Sequence, residues 1–409
     1  MLMFRGTILS QILGFVGSIF LAKIYGSEAY GVFGVFLSIS SILMIINTLQ
    51  LENGVITAKT EDESKNLMNS LFIISFFLAL IIFLSYNFIT YLLNFSDSYS
   101  AIVNISIAAS IALSYNKIHE SFLTFRKKFK PISTKKILTV VFNILFQLIL
   151  FLKFKLMGLV YGATISSILV CIYYFQKNLK YLKPIKFKAL KENVLQHKSI
   201  IKFILPSTLI NSLAVNLIPI LIVTFFSLKD SGVYTLSLKI VATPLFLISS
   251  SISQVYYQKS AKIFQYSKEK LYDLTKKIVF ANVGLMLLFL IVINTIGIYL
   301  LEFLLPKNWE NLRLFIGILS FLILARSSFN PISNIIIVLN KNKISLLFNL
   351  YLLCVNLLGI YIGFLTNNLI YTLTIISIFG GFGYLVLLLY FLKTLKSFKR
   401  SYEKNILTS

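Results

Sequence analysis

Apolar windows about 20 residues long follow one another along almost the whole chain, and that length is what an α-helix needs to cross the ~30 Å hydrocarbon core of a bilayer. Twelve windows can be read, at 4–22, 29–50, 67–93, 99–116, 137–152, 156–176, 203–225, 232–255, 278–305, 312–338, 344–365 and 368–392. With 57% hydrophobic and 13% charged residues over 409 positions, the chain is too apolar for a soluble domain. Backbone polar groups in lipid must be satisfied within their own segment, so the predicted fold class is an all-α integral membrane protein with twelve transmembrane helices. The first window reads on through Lys23 into the second without a convincing small-residue cleavage site, so it is taken as a membrane helix and not as a signal peptide.

A net charge of +25 would suggest nucleic acid in a soluble protein. Here the cations sit between apolar windows, where they set topology and meet anionic headgroups, so membrane lipids are the expected partner and nucleic acid is not. Assigning loops to alternate sides puts 31 Lys and Arg on the side of the two termini and six on the other. That asymmetry predicts a multi-pass membrane protein with both termini cytoplasmic. All loops are short, which leaves no room for a soluble catalytic domain. The basic loop 177–202 and the loop 256–277 mix Lys with Leu, Ile and Phe, as amphipathic surface helices do. Loop 52–66 is the acidic exception, with Glu52, Glu61, Asp62 and Glu63, and reads as a solvated turn.

The basic loop after the sixth window divides the chain into an N-terminal six-helix lobe (1–180), a basic cytoplasmic linker (181–202), a C-terminal six-helix lobe (203–392) and a basic tail (393–409). The halves echo one another. Tyr30-Gly31-Val32-Phe33 with Leu37 and Ile39 matches Ser231-Gly232-Val233-Tyr234 with Leu238 and Ile240 at a constant offset of 201. Such an echo argues for a parallel duplication about an axis along the membrane normal, which would place a substrate path between two bundles.

The window holding Lys239 carries the densest polar pattern. On a helix, Thr235, Lys239, Thr243, Ser250, Ser253 and Gln254 fall within an arc of about 100°. An ammonium in hydrocarbon costs about 2.5–3.5 kcal/mol on insertion scales, so Lys239 should face a cavity or a partner; snorkelling to the interface is the alternative. Arg326 lies near the middle of its window, where snorkelling is hardest, and shares it with Ser320, Ser327, Asn330, Ser333, Asn334 and a kinking Pro331. Asn211 and Asn216 share a window with Pro206 and Pro219, and Arg5 lies on the first window. The substrate-binding candidates are therefore Lys239, Arg326, Arg5, Asn211, Thr235, Thr243, Ser250, Gln254 and Asn330.

Other chemistry is poorly supplied. The four aspartates are isolated, His119 and His197 lack metal-ligand spacing, and no nucleophile constellation or glycine-rich phosphate loop is visible. Cys171 and Cys354 lie in separate windows and offer neither a disulfide framework nor a CxxC site. No cofactor, no metal and no enzymatic activity are expected. Cations without nearby acids favour an anionic ligand.

The order of LAKIYGSEAYGVFGVFLSISSIL, LQLENGVITAKTEDESKNL, KFILPSTLINSL, GVYTLSLKIVATPLFLISSSISQVYYQKSAK, LPKNWENLRLF and FNPISNIIIVLNKNK resembles the polysaccharide and O-antigen repeat-unit flippase family. That family belongs to the multidrug/oligosaccharidyl-lipid/polysaccharide (MOP) exporter superfamily. The resemblance implies a two-lobed, MATE-like MOP fold with a central cationic cavity. It implies a flippase that moves undecaprenyl-diphosphate-linked oligosaccharide repeat units (O-antigen, capsule or exopolysaccharide) across the inner membrane by alternating access, with the polysaccharide polymerase and chain-length machinery as further partners. Lys239, before Pro244, falls where the family commonly has a basic residue, which implies a role in holding diphosphate or acidic sugar. Two alternatives stand beside it: a MATE-type small-cation antiporter, which would need an intramembrane acid, and a membrane polysaccharide polymerase or glycosyltransferase, which usually shows a large loop or acidic motifs.

Overall fold

The computed structural model describes residues 2–93, 100–182, 187–266 and 269–408; its side chains are described throughout these except at 2–5, 180, 187–189, 244–248, 250–251, 254, 265–266 and 400–408. The described residues form helices and connecting turns, with no strand among them. In order they are α1 (Leu2–Thr48), α2 (Glu52–Thr57), α3 (Glu61–Leu92), α4 (Ser100–Phe125), α5 (Phe129–Phe154), α6 (Gly158–Asn178), α7 (Phe187–Gln196), α8 (Leu205–Phe225), α9 (Leu228–Tyr266), α10 (Lys270–Val292), α11 (Ile298–Leu304), α12 (Leu312–Phe329), α13 (Ile335–Val338), α14 (Asn342–Leu365) and α15 (Leu369–Thr408). Among the described residues, nine continuous helical stretches are long and apolar enough to cross a membrane. Two of the nine are broken inside: α1 at Gly26, whose φ of 78° only glycine adopts freely, and the α5–α6 stretch at Lys155, with φ 37°.

By contacts the chain forms two units, Met1–Gly232 and Val233–Ser409, with the division inside the first turns of α9. In unit 1, α1 is central and packs against α3, α4, α5 and α8, while α5 pairs with α6. Two reciprocal contacts lie in this unit. A Cβ on Gly31 would sit 2.0 Å from the Leu228 carbonyl oxygen, and a Cβ on Gly232 would sit 1.8 Å from the Ser27 carbonyl oxygen. Residues 27 and 228, like residues 31 and 232, differ by 201, so the contacts exchange under the offset read from the sequence. Two glycines let the backbones meet, as small residues do at membrane helix crossings, and the exchange of the two contacts has a local two-fold character.

The acidic stretch 52–66 is not a plain turn. It holds the short helix α2, and α3 then starts with the Thr60 hydroxyl accepting from the Glu63 amide (3.2 Å) while the Glu63 carboxylate accepts from the Lys59 amide (2.8 Å). Glu61 meets Lys65 (3.0 Å) and Arg126 (3.7 Å), and the Arg126 guanidinium lies 4.6 Å from the Tyr181 ring. The linker is thereby docked: Asn69 donates to the Tyr181 carbonyl (3.1 Å), and Asn193 of α7 donates to the Ser70 hydroxyl (2.8 Å). An amphipathic α7 thus has protein beneath it, not only lipid.

In unit 2, α12 packs on α15 and α10, and α14 packs on α15. The core joins Tyr256, Leu271, Val279, Phe329, Ile332, Ile335, Leu388 and Phe391. Pro219 does not break α8, which runs through it; the Pro219 carbonyl accepts from the Ser231 hydroxyl (3.0 Å). Pro331 does end α12: residues Asn330–Ile332 form a tight 3-10 turn before α13, because proline has no amide hydrogen to continue the ladder. Ser320, Arg326 and Ser327 therefore lie on α12, Asn330 in the 3-10 turn, and Ser333 and Asn334 in the turn that precedes α13.

Candidate functional site

The second unit carries Lys239 on α9 and Arg326 on α12, two cations that lie within apolar windows. The stretch that bears Lys239 begins with a reciprocal cap, in which the Ser227 hydroxyl accepts from the Asp230 amide (3.0 Å) and donates to the Asp230 carboxylate (2.6 Å). Beyond it, Tyr234 is buried at 3% exposure, and Thr235 holds a buried hydroxyl with no hydrogen-bond partner among the described residues. Thr235, Lys239 and Thr243 follow at intervals of four residues on one helical face, and all three are partly buried.

Arg326 approaches from α12 and interacts electrostatically with Tyr234. Asn330 follows four residues later in the 3-10 turn, and both residues are partly buried. Neither Lys239 nor Arg326 makes a hydrogen bond or ion pair with another described residue. From 311 to 402 the sequence contains no Asp or Glu, so α12, α13, α14 and the described part of α15 offer these cations no carboxylate.

Other polar side chains of the region are already used. Asn334 donates to the Ser253 hydroxyl (2.9 Å) and ties α9 to the turn before α13; Asn282 of α10 donates to the Ser327 carbonyl (2.7 Å); Tyr256 and Thr275 hydrogen-bond across α9 and α10 (2.8 Å). These bonds hold the helices, leaving Lys239, Arg326, Thr235 and the Asn330 amide available for a ligand. Asn211 is an exposed residue of α8 in unit 1, where its neighbour Asn216 donates to Ser212 (3.0 Å). The side chains of Arg5, Ser250 and Gln254 lie outside the described residues.

Unit 1 holds buried ionisable groups that the sequence reading passed over. Glu52, read as part of a solvated turn, is 2% exposed on α2, with one carboxylate oxygen unpartnered among the described residues. Burial pushes its carboxyl above the usual carboxylate range, against the opposing pull of its backbone hydrogen bond, the Thr48 hydroxyl and Lys117. Lys135, counted as a loop lysine, is buried on α5; its ammonium donates to the Asn116 carbonyl and lies 4.0 Å from Glu120. A signal for it existed, because Ile132, Lys135, Leu138 and Phe142 share one helical face. His119 is fully buried between Phe72 (4.9 Å) and Phe175 (6.2 Å). No group of three metal-ligating side chains occurs among the described residues.

A fold of membrane helices in which Lys239 and Arg326 have no anionic partner among the described residues is the setting for comparison with known proteins. Residues 20–313, more than half of the chain, match the family model described as polysaccharide biosynthesis protein. The chain belongs to the polysaccharide biosynthesis protein family. No curated protein matches the sequence. Among solved structures, the lipid II flippase MurJ in an inward closed conformation superposes with a TM-score of 0.74 at 17% identity, covering 97% of this chain and 90% of that one. An inward-facing multidrug resistance MATE transporter of the MOP superfamily gives 0.68 at 15% identity, covering 95% and 96%. A MOP superfamily transporter from Pyrococcus furiosus, described by the reverse polarity of its binding pocket, gives 0.57 at 16% identity, covering 97% and 94%. At these identities the likeness establishes the fold, so this member of the family has a MOP-like membrane fold, as the sequence resemblance implied.

Proposed function

We propose that this protein is a flippase that carries undecaprenyl-diphosphate-linked oligosaccharide repeat units, destined for O-antigen, capsule or exopolysaccharide, across the bacterial inner membrane by alternating access. The observation that carries this reading is the pair Lys239 and Arg326, two cations inside membrane helices with no anionic partner among the described residues. Desolvated charge of one sign is retained where a ligand of the other sign completes it. A diphosphate supplies that charge, and Thr235 and Asn330 supply neutral polar contacts for a glycan beside it. Family membership in polysaccharide biosynthesis and a fold shared with a lipid II flippase support the same cargo class.

The reading includes the remaining topology. Counting both halves of the two broken stretches, together with α9, gives twelve crossings in two six-helix lobes, 1–180 and 203–392, with both termini in the cytoplasm. It assigns transport and not bond chemistry to the protein, and polymerase and chain-length machinery would act on the delivered unit. The test is a deletion strain complemented with Lys239→Ala or Arg326→Ala at matched protein levels. The expected outcome is loss of most surface polysaccharide with complete lipid-linked units trapped on the cytoplasmic face. Units that reach the periplasm and stay unpolymerised would overturn the reading in favour of polymerisation, and full activity of both variants would overturn the site.

A further inference from the structure

A groove of about 430 Å³ runs between α14 and α15. Ile344, Leu347, Phe348 and Tyr351 form one wall, and Phe382, Gly383, Val386, Leu387 and Tyr390 form the other. It exists because α15 is glycine-rich here: a Cβ on Gly383 would sit 2.4 Å from the Tyr351 ring, so the ring folds down against the helix. Tyr351 is pinned there by donating to the Phe379 carbonyl (2.8 Å). Val386 on the far wall is 65% exposed.

One end of this groove is basic. The Lys341 ammonium donates to the Tyr390 hydroxyl (2.6 Å) and lies 4.9 Å from the same ring centroid, which fixes it at the mouth. Lys343 precedes Leu347 by one turn, and Lys393 lies seven residues after Val386, beneath it on the same face. Both are exposed. From 311 to 402 the sequence holds no carboxylate to compete for these three charges. From Ile344 to Tyr351 and from Phe382 to Tyr390 the walls extend about 10–12 Å at 1.5 Å per residue, close to the ~15 Å depth of one leaflet.

We propose that this groove is a binding site for an anionic diacyl phospholipid, with one acyl chain along the aromatic walls and the phosphate at Lys341, Lys343 and Lys393. The depth decides between lipids. A chain of one leaflet's length fits walls of this length, whereas a long polyprenyl chain would run past Tyr351. The bound lipid would brace α14 against α15 and make the stability of the second unit depend on headgroup charge, whatever the cargo of the transporter.

The purified full-length protein would be incubated in detergent with equal amounts of phosphatidylglycerol and phosphatidylcholine of the same chain length, and retained lipid counted by native mass spectrometry. Phosphatidylglycerol should be retained at least about fivefold over phosphatidylcholine, given roughly that factor for each lysine near an anionic headgroup. The variant K341A/K343A/K393A should bring the ratio near one, while K127A/K128A/K130A, which removes the same charge from the exposed α4–α5 loop and the first turn of α5, should leave it unchanged. Val386→Trp should reduce retention of both lipids by filling the groove. Equal retention by the wild type, a preference that survives the groove variant, or equal loss in the loop variant would overturn the proposal. So would displacement of phosphatidylglycerol from the wild type by polyprenyl phosphate at equal concentration, which would assign the groove to a carrier tail instead.

Discussion

At the scale of single residues, Glu52 is the carboxylate whose surroundings contradict its address in the sequence. It is buried where α1 gives way to α2, and Leu49 and Gln50 adopt left-handed backbone (φ 51° and 59°) to make that corner. Its carboxyl is held above its ordinary value of 4.5 because burial disfavours the ionised form. A raised carboxyl contributes stability that is fully present below the unfolded value and lost as pH rises through the folded one. Glu52→Gln should therefore raise the midpoint of thermal unfolding at pH 7 by about 2 °C or more and flatten its decline between pH 4.5 and 7, as followed by temperature-dependent gel filtration. A lower midpoint at pH 7 would show a carboxylate that is ionised and paired. The sequence concealed Glu52 because three further acids stand at 61–63 and make the whole stretch read as solvent-facing. It concealed Lys135 less well, since the apolar face Ile132–Leu138–Phe142 runs through that position. By contrast, Lys239 and Arg326 were legible, because a cation inside an apolar window stands out whatever the packing. Which amides were free to meet a ligand was not legible: Asn334 turned out to be bound to Ser253, and Asn330 did not.

The elements followed the sequence closely where lipid dictated them, since the length of an apolar run is fixed by bilayer thickness. They departed from it where water or protein took over. Helix α15 continues to Thr408 and α9 to Tyr266, well past the ends of their apolar windows, because a helix does not stop where hydrocarbon does. The offset of 201 was visible as a handful of identities; its physical reason appears only in the crossing of Gly31 on Leu228 and Gly232 on Ser27. In both cases the obstructing atom is a backbone carbonyl oxygen, which cannot rotate away as a side chain can. Gly31→Val and Gly232→Val should each force the helices apart, at a cost of about 1–3 kcal/mol or more. The readout is loss of monodisperse protein or a markedly lower unfolding midpoint in both variants. Gly284→Ala is the control, because nothing lies within 4 Å of its added methyl. Tolerance of valine at either crossing glycine would mean that the two backbones do not meet.

For the whole molecule, the twelve-crossing reading rests on where the cations are, so it can be tested without reference to cargo. If 31 Lys and Arg face one compartment and six face the other, the turns must alternate strictly, and an error in any one crossing would invert every later loop. The turns after α4 and before α14 belong to the basic set, and those after α5 and after α14 to the other. Cys171 and Cys354 are both free, so a background with serine at both positions gives a chain without thiols. On that background Lys155→Cys and Asn367→Cys should react with a membrane-impermeant maleimide in cells whose inner membrane is intact. Lys128→Cys and Asn340→Cys should react only after that membrane is permeabilised. All four positions lie in turns, three of them with positive φ at the native residue itself (Lys155, Asn340 and Asn367), where the chain leaves its helix and the thiol would be most accessible. The pair Lys155 and Lys128 brackets α5 alone, and the pair Asn340 and Asn367 brackets α14 alone, so each pair tests a single crossing. Opposite labelling within both pairs with the same sense would carry the alternation across the basic linker and through α8 to α13. Opposite labelling with inverted sense would place an even number of crossings between them where the twelve-crossing reading has five, and the two halves would then be inverted repeats and not parallel ones. The reciprocal glycine contacts at the 201 offset fit a two-fold relation of either kind, and the sense of the two labelled pairs decides between them.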